Sequence, residues 1–99
     1  MLEGLCFHAQ QAAEKALKAV LIARAIPPPR THNIGTLLDL LPADSSPSPE
    51  VRSAAILTDY AVMTRYPADA EPVEEDEYRE AVRLAEIVVS WAREAIGAQ

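Results

Sequence analysis

All eight prolines of this chain fall between residues 27 and 72, and they fall in clusters. Proline has no amide hydrogen to donate, its ring clashes with the preceding turn, and it disfavours helix in the residue before it. Pro27-Pro28-Pro29, Pro42 to Pro49 and Pro67 to Pro72 therefore act as breaks. They divide 99 residues into four apolar-patterned stretches, and all four patterns are helical. No stretch reads as a strand, so the expected fold is all-α, an antiparallel helical bundle.

The first helix is predicted over about Leu5–Ala25. Leu5, Ala9, Ala12, Ala13, Ala16 and Leu17 repeat at three-four spacing, and His8, Gln11, Lys15 and Lys18 line the other side. Gln10, Gln11, Glu14, Lys15 and Lys18 read by default as a solvated face. Thr31 or Asn33 can cap a short helix over Ile34–Leu41. Residues 43–49 read as a flexible Ser/Pro/Asp linker inside a single domain spanning 1–99. Ser48-Pro49-Glu50 is a helix start, with a capping hydroxyl, proline in the first turn and an acid following. The third helix should run over Pro49–Thr64 and, being apolar nearly all round, sit centrally. The fourth spans about Val73–Ile96, with Tyr78, Val82, Ala85, Val89 and Ile96 as one stripe that Leu84, Ile87, Val88 and Trp91 broaden. That apolar arc is wide enough for two contact partners, its own core and a second chain.

Charge narrows the function classes. The net charge is −6, which disfavours a polyphosphate binder. Its distribution is uneven: residues 1–33 carry +2, and residues 69–80 alone carry −6. A local cationic site is therefore still compatible with the sequence. No apolar run is long enough to span a membrane, and no secretory signal opens the chain. Cys6 stands alone and reads as a small packed thiol, so the expected compartment is the reducing cytoplasm. His8 and His32 are the only histidines, 24 residues apart, without metal-ligand spacing. No metal and no cofactor is expected, and no nucleophile motif or phosphate-cradling glycine loop is present.

The segment Asp59-Tyr60-Ala61-Val62-Met63-Thr64-Arg65-Tyr66-Pro67 carries the most chemistry. An aspartate inside an apolar helix needs a partner. Arg52 lies two turns before it on the same face, and Arg65 lies beyond. One reading is a structural Arg–Asp pair with Tyr66 filling the helix end. The other is a ligand cluster in which one arginine satisfies Asp59 and the second offers its planar fork to a phosphate. Tyr66 would then stack on a base. His32 reads either as a packing or capping residue or as a proton carrier beside that cluster. Asp59, Arg65, Tyr66 and His32 are thus the candidate ligand-binding residues. None is assigned as catalytic.

The string from Cys6 to Leu21, Arg30-Thr31-His32-Asn33-Ile34 followed by Leu37-Leu38, and Tyr60 with Arg65-Tyr66-Pro67 together resemble the HEPN domain family. These are the "higher eukaryotes and prokaryotes nucleotide-binding" helical domains. The resemblance covers nearly the whole chain in order. It implies a small helical bundle, usually a homodimer, often encoded beside a minimal nucleotidyltransferase and sometimes part of a toxin–antitoxin pair. It implies a nucleotide or RNA ligand. Ribonuclease members of the family carry an arginine, four to six residues, then a histidine near the dimer interface. Here Arg65 would be that arginine, and no histidine follows it. The expectation is therefore a nucleotide-binding or nucleotidyltransferase-partner domain without strong catalysis of its own. The alternatives are a metal-independent RNA endonuclease with a non-standard site at a dimer interface, and a plain helical dimerisation module. The resemblance also implies a long helix before Cys6, most of which is missing from a chain that starts Met1-Leu2-Glu3-Gly4.

Overall fold

The computed structural model describes residues 2–61 and 73–97. Helix α1 spans Leu2–Ala23, α2 Ile34–Asp39, α3 Pro49–Arg52 and α4 Glu75–Gly97. A short 3-10 turn covers Ala43–Ser45, and a 3-10 segment over Ser53–Ala61 continues α3. The protein is all-α, and the described residues contain no strand.

α1 ends in a tight hydrogen-bonded reversal. The amide of Ile26 donates to Leu21 O at 2.8 Å and that of Ala25 to Ile22 O at 3.0 Å. This pairing needs a left-handed residue after the helix. Ala25 supplies it with φ 63°, where glycine is usual. Ile26 then packs back against the core, as the motif prefers. The helix therefore stops two residues short of the predicted end, before the prolines are reached.

The caps follow the sequence. Asn33 Oδ1 accepts from the Thr36 amide at 3.1 Å, and Ser48 Oγ from the Val51 amide at 3.4 Å. Beyond Arg52 the third helix departs from expectation. It tightens to 3-10 winding instead of continuing as α, and Ser53 Oγ donates back to Pro49 O at 3.0 Å. The reason lies in the burial pattern. Val51, Ala54, Leu57 and Tyr60 are all buried, and they recur every three residues. Three residues per turn stacks them on one line; an α-helix would rotate them apart. The segment is consequently not buried on all sides, for Ile56 is 56% exposed. Within residues 43–49, the Ala43–Ser45 turn buries Ser45.

α1 and α4 are the main pair and run in the same direction. Leu5 and His8 share a groove with Tyr78 and Val82, whereas Arg24 meets Ala95 at the far end. The α3 segment returns antiparallel to both, with Ser48 and Glu50 near Glu94 and Tyr60 reaching Glu77. The face of α4 that packs inward is Ala81, Leu84, Ala85, Val88 and Ala92. Its centre lies on the Leu84, Ala85 and Val88 side of the predicted arc, leaving Tyr78, Val82 and Val89 half-buried at its edge and Ile96 exposed. Ala9 and Ala13 on α1 are small as well, so the two long helices approach closely through alanine. Cys6 is fully buried in this core. No helix among the described residues is long and apolar enough to cross a membrane.

Candidate functional site

The inward face of α1 carries two polar residues that its apolar periodicity does not announce. Gln10 is fully buried and Glu14 is 5% exposed. They sit in line with Cys6, Ala13 and Leu17, so the predicted solvated face is corrected at these two positions, while Lys15 is exposed as expected. Leu5 and Ala12, assigned to the buried stripe by spacing, are exposed instead.

Glu14 is the centre of a closed network. Its Oε2 accepts from Lys18 Nζ at 2.9 Å. Its Oε1 accepts from Gln10 Nε2 at 3.0 Å and lies 2.9 Å from His32 Nδ1. Gln10 Nε2 also donates to the main-chain oxygen of His32 at 3.0 Å. Gln11 Nε2 closes the ring onto Gln10 Oε1 at 2.8 Å. Burial by itself would raise the Glu14 carboxyl, but hydrogen bonds from Lys18, His32 and Gln10 outweigh it and hold it below the usual carboxylate value. Glu14 is therefore an ionised acceptor, and Nδ1 of His32 must donate to it. The imidazole remains 68% exposed, and Nε2 is the ring nitrogen left for other partners. A carboxylate behind an imidazole fixes the tautomer and orientation of the ring. Such a pair can exchange a proton at Nε2, or hold an anion there once the ring is protonated.

The other candidates divide. Asp59 is exposed to solvent on the 3-10 segment, which removes the argument that burial compels it to find a partner. Arg52 does not pair with it; the Arg52 guanidinium lies 3.9 Å from Asp39 on α2. The change from α to 3-10 winding alters the shared face on which the Arg52–Asp59 pairing relied. Arg65 and Tyr66 lie outside the described residues. Thr58, beside Asp59, accepts the Ile34 amide at 2.9 Å, so the 3-10 segment and the loop bearing His32 meet at one corner. Apolar periodicity misses Gln10 and Glu14, and the one sequence signal they carry is their position at three-four spacing from Cys6, Ala13 and Leu17. Lys18 and Glu14 at i,i+4 supply the rest of that signal.

A second polar pair locks the start of α4. Tyr60 donates to Glu77 Oε2 at 2.6 Å. Burial first, and then this carboxylate, push the Tyr60 hydroxyl well above its ordinary range, so it stays a donor.

Among the described residues, two long parallel helices, short returning elements and a polar network on the first helix make up a helical domain. The family model of the HEPN domain matches residues 1–95, and the chain belongs to that family. No curated protein and no solved structure matches it.

Proposed function

We propose that this HEPN domain is a homodimer that binds a nucleotide or partners a minimal nucleotidyltransferase, in the manner of a toxin–antitoxin pair, without strong catalysis of its own. The observation that carries binding over cleavage is the absence of a histidine four to six residues after Arg65. His32 precedes Arg65 in the chain and does not restore that spacing. Arg65 and Tyr66, with Asp59 and His32, are the proposed ligand-binding residues. The acidic run after Arg65 favours a single nucleotide over a long RNA backbone.

Dimerisation is supported by α4. Tyr78 and Val82 form a half-buried ridge between two grooves of about 570 and 510 Å³. Leu5, Ala9, Ala12, Ala85 and Val89 line the second groove together with His8, Glu86, Ser90 and Arg93, a mixed seam suited to a second copy.

The test is calorimetric titration of ATP into the purified protein, with light scattering and an RNA-cleavage assay in parallel. The expected result is a particle of twice the chain mass, no RNA cleavage, and ATP binding that weakens at least fivefold in Arg65→Ala with helicity unchanged. Cleavage abolished by Arg65→Ala would establish the endonuclease alternative. A dimer that binds neither ATP nor a co-expressed minimal nucleotidyltransferase would be a plain dimerisation module.

A further inference from the structure

The outward side of α4 carries four residues at four-residue spacing, Tyr78, Val82, Glu86 and Ser90, and each of them borders both grooves of this helix. Residues at that spacing form a ridge on an α-helix, and a ridge beside a groove is what one helix offers another when the two pack. The ridge is not a purely polar face. Tyr78 and Val82 are half-buried, Val89 beside them is half-buried too, and Ile96 continues the apolar line at 38% exposure.

The charges of the two grooves differ. On the side toward α3, Arg79 and Arg83 are already held by Glu75 and Glu80 of their own helix, at 2.9 and 2.7 Å. On the side toward α1, Glu86 and Arg93 are both exposed, and neither has a hydrogen-bond or ion-pair partner among the described residues. They stand two turns apart, about 10 Å along the helix axis, too far to meet each other. Val89 and Ser90 lie midway between them.

That spacing is self-complementary. The two surfaces of a two-fold dimer are the same patch, so whatever one copy presents must match itself after rotation. Opposite charges equidistant from one point meet this condition when the helices run antiparallel: each Glu86 then faces the partner's Arg93. Parallel helices would set like against like, and would bring together the acidic first turns at Glu75, Asp76 and Glu77. The side chains at the crossing point are small or short, Val89 and Ser90 on α4 with Ala12 on the α1 wall, so the backbones can approach closely.

We propose that the second copy packs α4 antiparallel against α4 along the α1-side groove, about a two-fold axis at Val89 and Ser90, with two reciprocal Glu86–Arg93 pairs fixing the register. This rests on the homodimer proposed above and adds its orientation and register. A dimer indifferent to these charges overturns the register alone, whereas a monomer overturns both.

The test is charge reversal on the full chain, read by sedimentation equilibrium. Glu86→Arg and Arg93→Glu each turn both pairs into like charges, and each should weaken self-association at least tenfold with an unchanged far-ultraviolet spectrum. The double variant Glu86→Arg/Arg93→Glu restores both pairs and should dimerise within threefold of the parent. An equimolar mixture of the two single variants should form a heterodimer, because one chain then carries two arginines and the other two glutamates. Cys6 is fully buried, so Ser90→Cys presents one accessible thiol, and a short bismaleimide should link the two copies there. Ile56→Cys, exposed on the 3-10 segment, should stay unlinked. Parent-strength dimers in both single variants, or no rescue in either the double variant or the mixture, would overturn the proposal. A monomeric parent that loses a co-expressed nucleotidyltransferase on Glu86→Arg would assign the groove to that partner and overturn it as well.

Discussion

The middle of α1 and the corner just beyond its C-terminal end treat polar groups in opposite ways. Around Glu14, a charge and a carboxamide are deeply buried and their polar side-chain atoms find partners. Around Arg24, two polar atoms are buried and left over. The first arrangement binds the loop at His32 to the helix and makes the local structure specific. The second stabilises nothing by itself, because an unmade hydrogen bond carries the desolvation penalty without the return. α1 therefore carries a closed polar network that defines the local structure and orients His32, and it ends beside two buried polar atoms that have no partner among the described residues.

The largest expected effect breaks the closed network. Glu14→Ala strands Gln10 and Lys18 and frees His32, and it should lower stability by about 2–4 kcal/mol in urea unfolding. A loss comparable to that of an exposed salt bridge would show the network to be as loose as a surface contact. Acid provides a milder route to the same point. The folded-state pKa of Glu14 lies below its ordinary value of 4.5. Its contribution is therefore complete above that value and is lost as pH falls through the lowered one. The stability gap between the parent and Glu14→Gln should be widest at neutral pH and shrink below about pH 4.5. A gap that stays constant to pH 3 would sink this linkage. The smallest effect belongs to the other end. Ala25 sits at φ 63° beside Arg24, and Ala25→Gly should raise stability by about 0.5–1 kcal/mol, relief of left-handed strain partly offset by a freer unfolded chain. A lowered urea midpoint would show that the reversal at Ala25 is not strained.

Much of the fold is legible in the sequence because prolines and caps act locally. Pro27–Pro29 and Pro42 separate helices where expected, and Asn33 and Ser48 cap the ones they precede. The 3-10 segment is not legible in the same way, because Val51, Ala54, Leu57 and Tyr60 fit an α pattern nearly as well as a three-residue one. Packing against α1 and α4 decides between them. Periodicity misplaces Gln10 and Glu14 for a related reason: it sorts residues by polarity, and a buried polar residue defeats it whenever its partners come from a distant loop. His32 is 18 residues from Glu14, and nothing within one turn of the helix discloses that contact. Asp59 shows the reverse error, since a polar residue among apolar neighbours suggests a buried environment that the exposed side of the segment does not provide.

The shared direction of α1 and α4 has a consequence for how this chain reaches its native state. Neighbouring antiparallel helices can zip from a short hairpin, but here the defining contacts are remote, as in the 71-residue separation of Arg24 and Ala95. Loop closure over such a span is entropically unfavourable until many contacts form at once, and folding rates fall as sequence separation grows. During synthesis α1 leaves the ribosome long before α4 exists, so its Ala- and Leu-lined face waits uncovered. Productive folding is a late, collective event, timed by the emergence of the last helix.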